Sequence, residues 1–259
     1  MAEPNLTENP LLYFGNAENS RPTVIFIAGT LIDPRIFYGV KVPDGYQSVY
    51  LRWMEGEYSH SLTSVSQKLA AFIRTQRFSS YILAGFSSGG CIALLTALAL
   101  PQEFAPSGIL LSNTGTNTKG HGNQKSCEEL EATWNRAAAE AFVLSGFSRP
   151  PRPEIFKRLL DYAAQFTPQV RVEPLKSQRQ IDLTGHLQSI ECPVVVAHGN
   201  ADKIRTRAHA CQLVAEIPQA ELFLLDGGHD AMLEDPDGFQ QAFDRLVWRI
   251  NQSSKRDVV

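Results

Sequence analysis

The sequence predicts an α/β fold in which a mostly parallel sheet carries helices on both faces and a helical cap is inserted between two strands. Short apolar runs rich in β-branched residues alternate with segments of helical periodicity, which is typical of parallel sheets. These runs are nearly continuous, as expected for strands that are buried on both faces. Residues 114–190 lack such runs, so a helical insertion is predicted there.

The elements follow in order along the chain. Six strands are predicted, at residues 23–29, 47–53, 80–86, 107–113, 193–199 and 220–227. Residues 61–75 and 237–251 have apolar side chains at helical spacing, and residues 88–100 form a nearly all-apolar helix that we expect to be buried.

The insertion defines the predicted domain organisation. Residues 1–113 and 191–259 form the core, and residues 114–190 form a cap over the carboxyl edge of the sheet, where ligands bind in open α/β sheets. Helices are predicted at 128–144 and 154–166, separated by the stiff segment SRPPRP. We expect most aromatic residues of these helices to pack against the core, and one or two to line an apolar pocket.

Composition excludes several classes of protein. A net charge of −3 gives no electrostatic footprint for nucleic acid, and no apolar stretch is long enough to span a bilayer. The polar N-terminus, MAEPNLTENP, does not resemble a secretory signal or a transit peptide, so a cytoplasmic protein is predicted. Four widely spaced cysteines indicate free thiols rather than disulfides or a zinc site, namely Cys91, Cys127, Cys192 and Cys211.

A serine between glycines stands where a predicted strand meets a predicted helix. The segment GFSSG fits the pattern G-x-S-x-G, with Ser87 at its centre and Gly85 and Gly89 at its ends. A sharp strand-to-helix turn of this kind exposes a nucleophilic serine above the sheet, and small residues let neighbouring chains pass close by. A helix cap is the alternative explanation for Ser87 and Ser88.

Two further polar residues follow strands that end at the same edge. The segment HGNAD places Asp202 after the strand at 193–199, and GGHD places His229 after the strand at 220–227. A serine hydroxyl needs a base and a group that orients the base. The 27 residues from 202 to 229 leave room for one helix and one strand.

With these motifs and IAGTLID, the chain resembles the α/β-hydrolase superfamily from about Thr23 to Asn251. The resemblance implies the α/β-hydrolase fold and a catalytic triad. In that triad Ser87 is the nucleophile, His229 is the general base and then the acid, and Asp202 fixes the imidazole tautomer.

The resemblance also implies an oxyanion hole made of two backbone N–H groups. One belongs to Ser88, and the other to Thr30, with Leu31 as the neighbour to consider. Many relatives carry His-Gly before this residue, whereas this chain has Ala28-Gly29, which leaves open how the loop is held without the imidazole.

Other residues could be mistaken for members of the site. Asp230 is adjacent to His229, so its side chain is expected to point away, and Asp226 is a weaker rival for the role of the acid. Asp33 is interpreted as a turn or cap residue, and the amide of Asn113 cannot replace a carboxylate. His198 is interpreted as a scaffold residue. The remaining histidines lack ligand spacing, namely His60, His121, His186 and His209, so neither metal nor organic cofactor is predicted.

The sequence favours a serine hydrolase of the carboxylesterase or thioesterase type (EC 3.1) that cleaves an ester, thioester or lactone through an acyl-enzyme. Alternatives on the same fold are a C–C bond hydrolase, a cofactor-free lyase, a biosynthetic acyl-processing enzyme and a non-enzymatic small-molecule receptor. The expected partner is a small acyl substrate, free or carrier-bound, and neither nucleic acid nor a membrane. The cap carries ten Lys or Arg and eight Asp or Glu. This balance suits an acidic carrier or acyl anion, but also an ordinary solvated surface.

Overall fold

The computed structural model of the chain describes residues 10–122 and 125–256. Seven strands of this part form a single sheet in the order β1-β3-β2-β4-β5-β6-β7, in which only β1 runs antiparallel to its neighbour. The strands are β1 Tyr13–Gly15, β2 Thr23–Ile27, β3 Gln47–Leu51, β4 Tyr81–Phe86, β5 Gly108–Ser112, β6 Val194–Gly199 and β7 Ala220–Leu225.

Four central strands hold the core of the sheet. Every residue of β2, β4, β5 and β6 is buried, and because successive side chains point to opposite faces, both faces are covered. The predicted α/β class and mostly parallel sheet are confirmed. Since β4, β6 and β7 are parallel, the loops that follow them meet at the same edge.

Nine helices surround the sheet in the described part of the chain. They are α1 Leu62–Gln76, α2 Ser88–Ala99, α3 Cys127–Ala132, α4 Arg136–Ser145, α5 Pro153–Ala164, α6 Pro168–Gln180, α7 Arg207–Glu216, α8 Ala231–Glu234 and α9 Pro236–Arg256. Helix α1 packs on α2, α2 packs on β4, and α9 lies along β5, β6 and β7. Helix α2 is apolar on all sides and mostly buried, which fixes the turn that precedes it.

Helices α3 to α6 all lie between β5 and β6 in the chain. The prediction of one helix over 128–144 was wrong, because α3 ends at Ala132 and α4 begins at Arg136. The side chain of Asn135 caps the second helix by accepting a hydrogen bond from the Ala138 N–H at 3.0 Å. The division into core and cap at residues 114 and 190 stays a prediction.

Helix α6 has no counterpart among the predicted elements. It contains few apolar residues and an internal Pro174, which cannot donate a helical hydrogen bond, so both periodicity and propensity argued against it. The local signal is at its start, where Thr167 caps the helix and Pro168 occupies its first turn.

Smaller differences concern element ends and the chain termini. Most predicted ends differ by one or two residues from the observed ones, but α9 extends five residues beyond the predicted end at 251. Strand β1 was not predicted because it has three residues only. The four cysteines are free thiols. The predicted absence of a leader peptide concerns a segment that lies almost wholly outside the described residues. No helix of residues 10–122 or 125–256 is long and apolar enough to cross a bilayer.

Candidate active site

Ser87 occupies a tight turn between β4 and α2. Its backbone has φ 54° and ψ −120°, a conformation that is costly for a residue with a side chain. The turn is held by the Ser87 N–H, which donates to the carbonyl of Ser112 at 2.8 Å. A Cβ on Gly89 would collide with the carbonyl oxygen of Ile27, and one on Gly85 would collide with the backbone of Gly89. The two glycines are therefore required by close backbone approach.

The structure brings three of the sequence-predicted residues into one hydrogen-bonded line. The Oγ of Ser87 lies 2.9 Å from Nε2 of His229, and Nδ1 of His229 lies 2.8 Å from Oδ2 of Asp202. Each residue follows a different strand, namely β4, β7 and β6. An imidazole placed in this way can take a proton from the hydroxyl while the carboxylate stabilises the imidazolium.

Asp202 is buried and fully supplied with hydrogen-bond donors. Its Oδ1 accepts from the backbone N–H groups of Ile204 at 2.8 Å and Arg205 at 2.9 Å. Its Oδ2 accepts from the amide of Asn113 at 2.8 Å, as well as from His229. Burial alone would raise the pKa of Asp202, but the nearby His229 and these hydrogen bonds lower it to about 2. The group is therefore a carboxylate across the neutral range.

Asn113 has a function that the sequence did not reveal. Its side chain bridges Asp202 and the carbonyl of Gly228, which precedes His229, and so connects the two loops that carry the acid and the base. It adopts a left-handed backbone conformation, φ 48°, which Asn tolerates better than most residues. In the sequence, the available signal for this function was a polar Asn at the end of a predicted strand.

The two N–H groups expected to hold an oxyanion differ in whether they already donate a hydrogen bond within the protein. The Thr30 N–H donates to the Oγ of Ser88 at 2.7 Å, and the Oγ atoms of the two residues lie 2.8 Å apart. The N–H of Ser88 stands at the start of α2 and has no acceptor among the described residues, nor has the N–H of Leu31. A substrate oxygen must therefore displace the Ser88 hydroxyl before it can bind to Thr30.

The loop after β2 is held without a histidine at position 28. The carbonyl of Ala28 accepts a hydrogen bond from the indole Nε1 of the buried Trp53 at 2.9 Å. Leu31 adopts φ 62°, which is rare for a branched side chain and is maintained by its burial. Trp53, which follows β3 in the chain, thus holds the start of this loop.

The remaining candidates lie outside the hydrogen-bonded line. Asp33 caps a 3-10 helix and pairs with Arg35, and Asp226 is exposed and pairs with Arg149. His198 is fully buried, and neither of its ring nitrogens has a partner in the described structure. Histidines 60, 121, 186 and 209 do not join the line. Within residues 10–122 and 125–256, no three His, Cys, Asp or Glu side chains are grouped as a metal site requires.

A cavity of about 620 Å³ opens beside Ser87 and His229. This volume lies in the range of small-molecule sites. Helices α3, α4 and α6 contribute to its wall, and of the cap aromatics Phe142 and Phe147 line it. Its lining combines apolar side chains with many polar and charged ones, so it suits a substrate that has both apolar and polar parts.

Asp230 is a second buried carboxyl in the wall of this cavity. It is 3% exposed, and no described donor lies within hydrogen-bond distance of its carboxyl. Burial raises its pKa to about 7; His229 opposes this shift, while the charges of Asp202 and Glu234 add to it. Asp230 therefore differs from Asp202 in that no described hydrogen-bond donor stabilises its charge, and the nearby His229 offsets only part of the effect of burial.

Comparisons with known proteins identify the family and the fold. The family described as "Alpha/beta hydrolase family" matches residues 22–242. The 3-oxoadipate enol-lactonase 2 of Acinetobacter baylyi is 24% identical over 172 residues, which is 64% of this chain. The match spans 63% of the length of that curated relative.

Two solved structures share the fold at low identity. An esterase from Exiguobacterium antarcticum superposes with a TM-score of 0.79 at 17% identity, over 94% of this chain and 96% of that one. An enol-lactonase from Burkholderia xenovorans gives a TM-score of 0.79 at 16% identity, over 93% and 97% of the two chains.

Proposed function

Because the chain belongs to the alpha/beta hydrolase family, we propose that it is a serine hydrolase that cleaves a carboxylic ester or lactone through an acyl-enzyme. The observation that carries the proposal is the unbroken line of hydrogen bonds from Ser87 through His229 to Asp202, beside a cavity of small-molecule size. The similar proteins named as esterase and enol-lactonase support this class of bond.

In the first half of the proposed reaction, Ser87 attacks the substrate carbonyl. His229 Nε2, 2.9 Å from the hydroxyl oxygen, takes its proton, and Asp202 stabilises the imidazolium that forms. His229 then donates this proton to the leaving alcohol oxygen, so that the C–O bond breaks and an acyl-Ser87 ester remains. In a lactone the leaving oxygen stays tethered to the acyl group.

In the second half, water cleaves the acyl-enzyme. His229 removes a proton from the attacking water, and the tetrahedral intermediate collapses to release the acid and restore the Ser87 hydroxyl. Residues 114–190 act as a cap in this proposal, because side chains from α3, α4 and α6 line the cavity and limit access of bulk water to the acyl group.

The oxyanion hole is proposed to consist of the N–H groups of Ser88 and Thr30. The first is free of a protein acceptor among described residues and lies at the positive end of the α2 dipole. The second becomes available once the Ser88 hydroxyl rotates away, which requires only a change of its χ1 rotamer. Both donors are backbone groups, so the hole does not depend on a side chain at either position.

The experiment is the turnover of short para-nitrophenyl esters and of lactones by the wild type, by Ser87→Ala and by Ser145→Ala. Ser145 also lines the cavity, but its hydroxyl donates to the Phe142 carbonyl and not to an imidazole, so it is the matched control. We expect Ser87→Ala to lose at least about 10⁴-fold in kcat and Ser145→Ala to retain most activity. Undiminished turnover by Ser87→Ala would refute the proposal.

A wider panel separates the reaction classes on this fold. Thioesters test the finer thioesterase assignment, and activated C–C substrates test the carbon–carbon hydrolases. Tight binding of a small molecule with no turnover of any member of the panel would indicate a receptor instead.

A further inference from the structure

Helix α6 buries an arginine whose charge is not paired within the described structure. Arg171 is 5% exposed, and its Nη1 donates to the carbonyl of Leu130 at 2.9 Å. The guanidinium lies 4.1 Å from the centre of the Trp134 ring, while its Nε has no partner. No described carboxylate lies within ion-pair distance. A buried charge without a counter-ion is destabilising, which points to a ligand that supplies one.

Gln178, seven residues later on the same helix, also has a buried hydrogen-bond donor without a described partner. It is 7% exposed, and no described residue accepts a hydrogen bond from its amide nitrogen. Residues 171, 175 and 178 share one face of α6 by helical spacing, and all three line the cavity that contains Ser87. Arg171 and Gln178 therefore each keep a buried, unused donor, and both residues contribute to the wall of the cavity.

The electrostatic setting of this wall favours an anion. Burial lowers the pKa of Arg171 only to about 10, so the guanidinium remains protonated at neutral pH. Lys125 and Lys203 also line the cavity, and Asp230 contributes a carboxyl to the same lining. The charge of Arg171 is thus available to a bound anion in a setting with little water, where it attracts an anion more strongly than an exposed lysine does.

We propose that Arg171 and Gln178 form a subsite for a carboxylate carried by the acyl group of the substrate, an inference that rests on the proposed hydrolytic function. The Nε and Nη2 edge of the guanidinium is not used by described residues, and its two donors match the two oxygens of one carboxylate. The Gln178 amide adds a third donor. The substrate class is therefore an ester or lactone with an acidic distal group.

The test uses pairs of substrates that differ in one charge. The para-nitrophenyl monoesters of adipic and suberic acid carry a distal carboxylate, and their methyl esters carry none. We expect the wild type to hydrolyse one acid with a kcat/KM about tenfold or more above that of its methyl ester. Equal kcat/KM values for both pairs, or a preference for the methyl esters, would overturn the inference.

Variants assign the preference to this wall. In Arg171→Met the acid should lose about 10- to 100-fold in kcat/KM, mainly through KM, while the methyl ester should be little affected. Arg171→Lys should retain part of the preference, and Arg136→Met is the matched control, because Arg136 is exposed on α4 and pairs with Asp161. If Arg171→Met does not fold, Gln178→Met should reduce the preference about threefold. A preference unchanged in the variant that folds contradicts the subsite.

A binding measurement keeps the inference separate from the proposed reaction. Adipate and suberate are titrated into Ser87→Ala by calorimetry, with and without Arg171→Met. Binding that depends on Arg171 supports the subsite even if no ester is cleaved, and its absence for both acids overturns it. A coenzyme A thioester with a neutral acyl group provides the last comparison. If it is hydrolysed faster than either acid, and if Arg171→Met abolishes this advantage, the anion that Arg171 binds lies on the leaving group, and the acyl assignment is overturned.

Discussion

The proposed acid Asp202, in a loop at the carboxyl edge of the sheet, and the polar side chains that α6 contributes to the cavity wall differ in how fully they are hydrogen-bonded. In the loops, the carboxylate of Asp202 accepts hydrogen bonds from Ile204, Arg205, Asn113 and His229. In the cavity wall, Nε of Arg171 and the amide nitrogen of Gln178 have no described partners. The buried carboxyl of Asp230, which follows His229 in the loop after β7, also receives no described hydrogen bond. Satisfied groups hold a fixed geometry, whereas unsatisfied groups are available to a ligand. In the two proposals made above, Asp202 therefore belongs to the reaction chemistry, and Arg171 and Gln178 belong to substrate selection.

The largest expected effect comes from the acid at the sheet edge. Asp202→Asn keeps the shape of the side chain but can no longer stabilise an imidazolium or enforce one tautomer of His229. We expect kcat on a para-nitrophenyl ester to fall about 10³- to 10⁴-fold, with an unchanged circular dichroism spectrum. Asp226→Asn, at an exposed carboxylate, is the control. Activity within tenfold of the wild type would remove Asp202 from the proposed triad.

Asn113 tests whether the loops depend on their connecting hydrogen bonds. Asn113→Gly removes the amide that donates to Asp202 and tolerates the left-handed backbone at this position. We expect a roughly tenfold decrease in kcat with little change in KM, measured by steady-state kinetics. A change in KM alone would mean that Asn113 acts on substrate binding and not on the acid.

The buried carboxyl of Asp230 provides a pH-dependent test of whether its charge is unpaired. Its folded pKa, about 7, lies above the unfolded value of about 3.9, so folding binds a proton and the charged group destabilises the protein increasingly from about pH 4 to pH 7. Asp230→Asn removes this penalty. We expect the variant to raise Tm by a few degrees at pH 8 and by little at pH 4.5, measured by thermal denaturation. A Tm gain that does not grow with pH would show that Asp230 has a counter-ion.

The smallest expected effect concerns the oxyanion loop. Ser88→Ala removes the hydroxyl that occupies the Thr30 N–H and leaves both backbone donors in place. Because one hydrogen bond need no longer be broken, we expect kcat/KM to rise about twofold to fivefold. A decrease of tenfold or more in initial-rate measurements would mean that the hydroxyl itself donates to the oxyanion.

Much of the sheet and of its functional edge was predictable from the sequence. Buried parallel strands are continuous apolar runs, and the turn at Ser87 needs glycines at fixed offsets, so both leave local patterns. Asp202 and His229 could be proposed because each follows a recognisable strand. Their hydrogen-bond distances depend on the packing of three loops and are not encoded in any one segment.

The wall was less predictable because its helices are positioned by tertiary contacts. Helix α6 has a weak apolar face and an internal proline, so neither it nor the neighbourhood of Arg171 could be predicted. The hydrogen bond between Thr30 and Ser88 joins residues 58 positions apart and likewise required coordinates. Residues that stand in a local pattern, such as Ser87 between its glycines, were recognisable from the sequence, and residues without such a pattern, such as Arg171, were not.

The proposal that Ser87 is an activated nucleophile is tested most directly by covalent trapping. The intact protein is treated with a fluorophosphonate at neutral pH, and the labelled peptide is identified by mass spectrometry. We predict one adduct, on Ser87, that forms at least about 100-fold more slowly in His229→Ala, because the imidazole no longer removes the hydroxyl proton. No adduct in the wild type, an adduct on another serine, or labelling unaffected by the loss of His229 would contradict the account.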